Sequence, residues 1–349
     1  LTFFPLPKWA ATFARVFGVA LLLGAFQPPA DAVDAPQKSQ SILVDAAPIG
    51  FDRDNPEQRR FGKLEWLGTL RLSSPEKRFG GFSGIAIDAE GTKLLLISDQ
   101  ATWLQADIVT RAGRLDGLAN ARFGRIRGLG GKYLRKKLNK DSEDIAMAAP
   151  GALAGKAFIA FERNHRIAVH HVTSDGVSPA KRLLKLPARA RSAKGNKGIE
   201  GLTVLRAGPL KGALVAFTEE YLDKQGNHIG WIVGGPRPGQ ITLKRLKGFS
   251  VTGLASLPNG ELVVLERRFR YSEGVKMRLR RVTASQIRRG AVLKGEVLFE
   301  TNQLREIDNM EGIAAHVDGQ GRTILTLISD NNFNNIFQQT LLMQFAILD

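Results

Sequence analysis

One short pattern recurs five times along the chain and limits what it can fold into. It reads Ser83-Gly84-Ile85-Ala86, Glu143-Asp144-Ile145-Ala146, Glu200-Gly201-Leu202-Thr203, Thr252-Gly253-Leu254-Ala255 and Glu311-Gly312-Ile313-Ala314, at spacings of 60, 57, 52 and 59 residues. Each copy is followed by a turn and a second apolar run: Lys93 to Ser98, Lys156 to Phe161, Ala213 to Thr218, Glu261 to Leu265 and Thr323 to Ser329. Segments such as Asp88-Ala89-Glu90-Gly91 and Pro258-Asn259-Gly260 lie between the runs, where a tight reversal needs residues that tolerate positive φ. Each unit therefore opens with a β-hairpin. A repeat of about 57 residues suits a four-stranded blade plus a loop, so the expected fold is all-β, a single β-propeller around a central channel.

The N-terminus has a separate character. Lys8 and Arg15 precede the apolar run Val16 to Phe26, and Ala30-Asp31-Ala32 follows, the order of a secretory signal cut after Ala32. The run of about 11 residues falls short of the roughly 20 that a spanning helix needs; an uncleaved anchor over Trp9 to Phe26 is the alternative. The expected organisation is a signal peptide over 1–32, a lead-in segment over 33–60 and the propeller over 61–349. The destination is periplasmic or secreted, with no transmembrane segment after cleavage. The remaining length holds between five and six units. Six blades are expected, the sixth assembled from Ser41 to Val44 and Leu64 to Leu72 at one end and Leu341 to Leu348 at the other, because ring closure removes unpaired edges.

Lys and Arg number 50 against 33 Asp and Glu, a net charge of +17, and there is no cysteine. The missing cysteines exclude disulfides, thiolate metal sites and thiol nucleophiles. The basic balance favours an anionic partner, such as a small anion or a phosphoester. Residues 121–140 hold eight basic side chains and no acid, among them Arg135, Lys136 and Lys140; residues 181–197 hold seven, among them Lys194 and Lys197. These runs lead into Glu143 and Glu200. Nucleic acid is disfavoured, because only Phe123 and Tyr133 interleave aromatic faces with the first run.

Antiparallel pairing places the start of each hairpin's first strand beside the end of its second. The starts are Ser83, Glu143, Glu200, Thr252 and Glu311; the ends are Asp99, Glu162, Glu219, Glu266 and Asp330, separated by 16, 19, 19, 14 and 19 residues. With the first strand innermost, these acids meet at one mouth of the channel as an acidic rim. Carboxylates so gathered raise one another's pKa values unless a cation joins them. Calcium, which takes carboxylate and amide oxygens, is the expected ion, with magnesium or manganese behind it. The expected ligands are Glu143, Glu200, Glu311, Asp330, Asp99, Glu162, Glu219, Glu266 and Asn331. Arg135, Lys136, Lys140, Lys194, Lys197 and Arg267 are expected to grip an anion beside them. Strand-end ion pairs, as in Glu162-Arg163 and Glu266-Arg267-Arg268, are the plainer alternative.

Other catalytic plans fail on spacing. Gly80-Gly81-Phe82-Ser83-Gly84 is not a nucleophile elbow, the five histidines show no HExxH pairing, and Arg127 to Gly131 lacks the Lys-Ser/Thr of a phosphate loop. No catalytic residue is assigned. The segments Gly81-Phe82-Ser83-Gly84-Ile85, Asp141-Ser142-Glu143-Asp144-Ile145, Gly198-Ile199-Glu200-Gly201-Leu202, Asn309-Met310-Glu311-Gly312-Ile313 and Ser329-Asp330-Asn331-Asn332-Phe333 resemble the phytase-like family of exported bacterial proteins, also called "esterase-like activity of phytase". The resemblance runs from about residue 60 to the C-terminus and implies a β-propeller that hydrolyses a phosphoester or ester. The Glu-Gly strand starts are also similar, more loosely, to the metal-binding acids of calcium-dependent propeller phytases and six-bladed lactonases. Two classes of function follow. One is a metal-dependent hydrolase of a phosphoester, ester or lactone, with Glu143, Glu200, Glu311 and Asp330 on the ion. The other is a non-catalytic propeller that binds an anionic envelope component or a protein partner at the same rim.

Overall fold

The computed structural model describes residues 39–191 and 197–348, and the expected signal peptide, residues 1–32, lies outside them. Among the described residues no helix is long and apolar enough to cross a membrane. The strands form five sheets, each a blade with its first strand innermost. Blade 1 runs outward from Phe82–Ile87 through Lys93–Ser98, Thr102–Arg111 and Arg114–Arg125. Blades 2 to 5 begin with Ser142–Met147, Ile199–Val204, Ser250–Ser256 and Asn309–Val317. Each inner strand packs beside those of both neighbouring blades, and blade 5 meets blade 1, so the ring is closed. The inner strands of blades 1 to 4 are buried at every residue, which is why they read as unbroken rather than alternating apolar runs.

The ring has five blades, not the six expected. Closure does use both termini, but inside the fifth repeat. That repeat supplies Asn309–Val317, Thr323–Asp330 and Thr340–Ile347, and the last of these pairs antiparallel with Leu64–Ser73, which in turn pairs with Asp45–Ile49. The N-terminal strands thus complete a three-stranded blade instead of founding another. Part of the expected lead-in segment is blade: Asp45–Ile49 edges blade 5, and Gln40–Ser41 edges blade 1 through its pairing with Arg122 and Phe123.

The core is divided among the seams between blades. Leu70, Phe82, Leu94, Phe123 and Ile328 fill the seam between blades 5 and 1, and Phe217, Val251, Leu254 and Val264 that between blades 3 and 4. Full burial of each such side chain contributes about 1.5–3 kcal/mol, so the seams, more than the strand pairs, hold the ring together.

Each inner strand carries a β-bulge at the same repeat position. Phe82 and Gly84 face consecutive residues of the second strand, as do Ser142 and Asp144, Ile199 and Gly201, Val251 and Gly253, and Met310 and Gly312. The skipped residues are Ser83, Glu143, Glu200, Thr252 and Glu311, the strand starts picked out by the repeat. A bulge bends the strand and re-aims its extra side chain. The glycine that follows has a packing cause: a Cβ on Gly253 would stand 2.6 Å from the carbonyl oxygen of Glu311, and one on Gly84 2.8 Å from the Cα of Asp144. In blade 2 Asp144 takes the glycine's place, and its carboxylate accepts the backbone N–H groups of Leu202 and Ile145, each at 2.7 Å, fastening blade 2 to blade 3.

Candidate metal centre

Three of the five bulges present a glutamate. Burial pushes the carboxyls of Glu143, Glu200 and Glu311 well above the usual range, and neighbouring carboxylates raise them further. Glu143 is repelled by Asp141, Glu311 and Glu162, and Glu200 by Glu143, Glu219 and Glu162, so the three side chains meet from separate blades. The other two bulges carry hydroxyls used for structure. Ser83 donates to the carbonyl of Ser142 at 2.7 Å and Thr252 to that of Met310 at 3.0 Å, in each case just ahead of the next blade's glutamate. The Ser83 hydroxyl is thereby committed to a seam.

The second strands deliver the next tier. The backbone N–H of Asp99 reaches the carbonyl of Gly81, that of Glu162 reaches Asp141, and that of Glu219 reaches Gly198, while Asp330 stands opposite Asn309. In blades 1, 2 and 5 the acid precedes a sharp turn, with Ala101, Arg163, Asn332 and Phe333 at φ of 55°, 58°, 47° and 53°. Blade 4 breaks the series. Its register sets Ser250 opposite Arg267 and Val251 opposite Glu266, so Arg267, not Glu266, occupies the place of the acids. A one-residue step along a strand turns the side chain to the other face. The expected ligand Glu266 is accordingly absent from the group; its carboxylate is fully buried against Arg280. Asn331 has a structural task as well, its Oδ1 accepting the N–H of Gly81 at 2.9 Å and of Phe333 at 3.3 Å.

One member was not singled out as a ligand from the sequence. Asp141 precedes the strand start by two residues, and one oxygen from each of Asp141, Glu143 and Glu162 lies within 4.8 Å of the others. Oxygens on one calcium at 2.3–2.6 Å lie within about 5 Å of each other, so this spacing suits a shared ion. A second sign comes from blade 5. The amide nitrogen of Asn309 donates to Glu311 at 2.7 Å, while its amide oxygen is buried without a hydrogen-bond partner. An orphaned amide oxygen beside carboxylates is a donor of the kind calcium takes, and the donor set fits a hard cation. Glu219 and Asp330 are each raised to about 7, chiefly by burial; Arg267 opposes the shift at both.

Cations also enter the group. Lys137 contacts Asp99 at 2.6 Å and also Asp141; burial works against its charge, but these bonds outweigh it and raise its pKa. The Nε of Arg163 donates to Asp141 at 2.5 Å, and Arg267 reaches Glu219 at 3.3 Å. Among the expected anion contacts, Arg267 thus stands within the acid group. Lys140 donates to the side chain of Gln100. Arg135, Lys136 and Lys197 are exposed, and Lys194 lies outside the described residues. Within the basic run 121–140, Lys137, a neighbour of those expected to grip an anion, reaches the acids.

No curated protein matches the chain. Among solved structures, the β-propeller domain of Myceliophteria thermophila Cps50 (Swd1) is 10% identical, with 88% of this chain and 100% of that chain covered at a TM-score of 0.39. A family model described as "Phytase-like: Esterase-like activity of phytase" matches residues 77–333, which takes in all five inner strands and every acid of the group. The chain belongs to the phytase-like family.

Proposed function

We propose that this chain is a divalent-cation-dependent hydrolase of an anionic phosphoester or ester, acting at the acidic mouth, with calcium as the cation its oxygen donors favour. The observation that carries this is the approach of Asp141, Glu143 and Glu162 to within 4.8 Å. Carboxylates held so close in a buried place repel one another, and a divalent ion relieves the repulsion. Asp141, Glu143 and Glu162 would hold the ion, with Glu200 and Glu311 as further acids beside it. When bound, such an ion neutralises developing negative charge and makes water a stronger nucleophile. The chain supplies the rest. Arg267 offers a planar fork to a phosphoryl or carboxyl oxygen. Glu219 and Asp330, which stand near 7 without a cation and fall as one binds beside them, would serve as carboxylates that accept a proton from the attacking water. A lactone would meet the same groups. The order of charge, apolar run and Ala-Asp-Ala at the N-terminus supports an exported protein.

One feature favours a second reading, a non-catalytic propeller that binds an anionic component or a protein. Lys137, shared between Asp99 and Asp141, balances part of the acid charge with the chain's own ammonium group. Thermal unfolding with EDTA and then with added Ca²⁺, beside a Glu143→Gln/Glu162→Gln variant, separates the two. A calcium-dependent rise in Tm that the variant loses, together with turnover of p-nitrophenyl phosphate or acetate, is the expected result. Identical curves with EDTA and with Ca²⁺ would remove the metal and leave the binding module.

A further inference from the structure

The four exposed aromatic side chains among the described residues all stand at one end of the propeller. Phe269 and Tyr271 sit at the tip of the blade 4 hairpin that follows Arg267, and Phe333 and Phe337 in the blade 5 loop that follows Asp330. Tyr271 is 99% exposed, Phe337 81% and the neighbouring Ile336 86%. Blades 4 and 5 are adjacent, and both loops rise at the acidic mouth. Phe269 and Tyr271 meet edge to face with ring centroids 5.2 Å apart, and a side chain on Gly81 would collide with both Phe333 and Asp99, so the apolar loop begins at the acid group itself. Ile336 and Phe337 line a cavity of about 620 Å³ with Phe79 and Leu72. Large apolar groups clustered on one exposed face mark an interaction site.

The charge at this end shows what would cover it. Residues 126–140, 184–191 and 244–249 lead toward the inner strands of blades 2, 3 and 4 at the same mouth, and each is rich in Lys and Arg without a single acid. Of the acids at this end that stand outside the channel, Glu76, Glu220, Glu273 and Glu306 are each paired with Arg or Lys, so the perimeter keeps an excess of basic side chains beside its aromatic ones. A perimeter of that kind suits a surface that is anionic outside and apolar beneath: cationic side chains meet headgroups, and aromatic rings settle at the boundary between headgroup and acyl chain.

We propose that the acidic-mouth end docks on an anionic phospholipid surface, with the Phe269–Tyr271 hairpin and the Ile336–Phe337 loop entering the lipid and the basic loops meeting the headgroups. The site would then open directly onto the membrane, and the ester it hydrolyses would be one presented there; that last step rests on the proposed activity, while docking does not.

Co-sedimentation with phosphatidylglycerol vesicles, against phosphatidylcholine vesicles, tests the docking with EDTA present so that no cation bridges protein and lipid. Wild-type protein is expected to bind the anionic vesicles at about 0.15 M NaCl and to keep part of that binding at about 0.5 M, where screening weakens charge alone. A Tyr271→Ser/Ile336→Ser/Phe337→Ser variant, altered only at exposed positions and checked for an unchanged Tm, is expected to bind at least about tenfold more weakly and to lose the salt-resistant part. Wild-type protein that stays in the supernatant when the anionic vesicles pellet would overturn the proposal. So would a variant that binds as well as wild type, since net positive charge would then suffice. Sedimentation velocity without lipid covers the remaining occupant: self-association abolished by the same substitutions would assign the patch to a second copy of the chain and also overturn it.

Discussion

The guanidinium of Arg280 forks onto the carboxylate of Glu266, with Nε 2.7 Å from Oε2 and Nη2 2.5 Å from Oε1, and both side chains are completely buried. Burial raises the pKa of Glu266, and the guanidiniums of Arg280 and Arg278 oppose the rise. Glu266→Ala would leave Arg280 charged in the interior without its partner, at a cost of about 3–5 kcal/mol. Its Tm is expected to fall by roughly 5–10 °C. Because the pair lies on the other face of its strand from Arg267, the Tm increment on adding Ca²⁺ should stay as in wild type. Loss of that increment would place Glu266 among the ligands after all.

Arg267 stands where the other four blades carry Asp or Glu, and it opposes the pKa rise of Glu311, Glu219 and Asp330. Arg267→Gln removes a positive charge from the acid group and a donor fork from the anion site. Two opposite changes are expected: a several-fold gain in calcium affinity by titration calorimetry, and a loss of about tenfold or more in affinity for inorganic phosphate on the calcium-loaded protein. If both affinities fall together, Arg267 serves the fold and not the anion.

The cation-free protein should lose stability as pH rises. Glu219 moves from 4.5 in the unfolded chain to about 7 in the folded one, so the folded state holds its proton to higher pH. Asp330 moves from 3.8 to about 7 in the same sense. The favourable contribution is whole below the unfolded values and is lost as pH climbs from about 4 to about 7, on the order of 3 kcal/mol for Glu219 alone. In EDTA the Tm at pH 8 is expected to lie below that at pH 5, with the difference reduced in Glu219→Gln/Asp330→Asn and in saturating Ca²⁺. A Tm in EDTA that rises over this interval would contradict the burial of these groups in protonated form.

The repeat made the hairpins, the propeller and the convergence of Glu143, Glu200 and Glu311 legible, because inner strands buried on both faces leave an unbroken apolar signature. Blade 4 was misjudged by one residue: in Glu266-Arg267-Arg268 the acid was chosen by type, whereas the bulge at Thr252 sets the register, and a bulge leaves no mark in sequence beyond the glycine after it. Asp141 was visible only as a third acid-rich position in Asp-Ser-Glu, outside the pairing logic that found the others. The blade count turned on the pairing of Leu64–Ser73 with Thr340–Ile347, strands from opposite ends of the chain that no local pattern connects.

Asp144 provides the test of the ring itself. It is buried where the other four blades have glycine, and it joins blade 2 to blade 3 through the N–H of Leu202. Burial pushes its carboxyl well up, while the bonds from the Leu202 and Ile145 N–H groups pull it down. Asp144→Ala would orphan two backbone donors inside the seam, about 2–4 kcal/mol in all, whereas Asp144→Asn keeps an acceptor oxygen and is expected to cost roughly half as much. Since this carboxylate turns to the Leu202 backbone, the calcium increment in Tm should survive both changes. Amide exchange gives the local readout: Leu202 is expected to lose protection in Asp144→Ala ahead of the blade cores, and protection unchanged from wild type would mean that the seam between blades 2 and 3 is held by its apolar side chains alone.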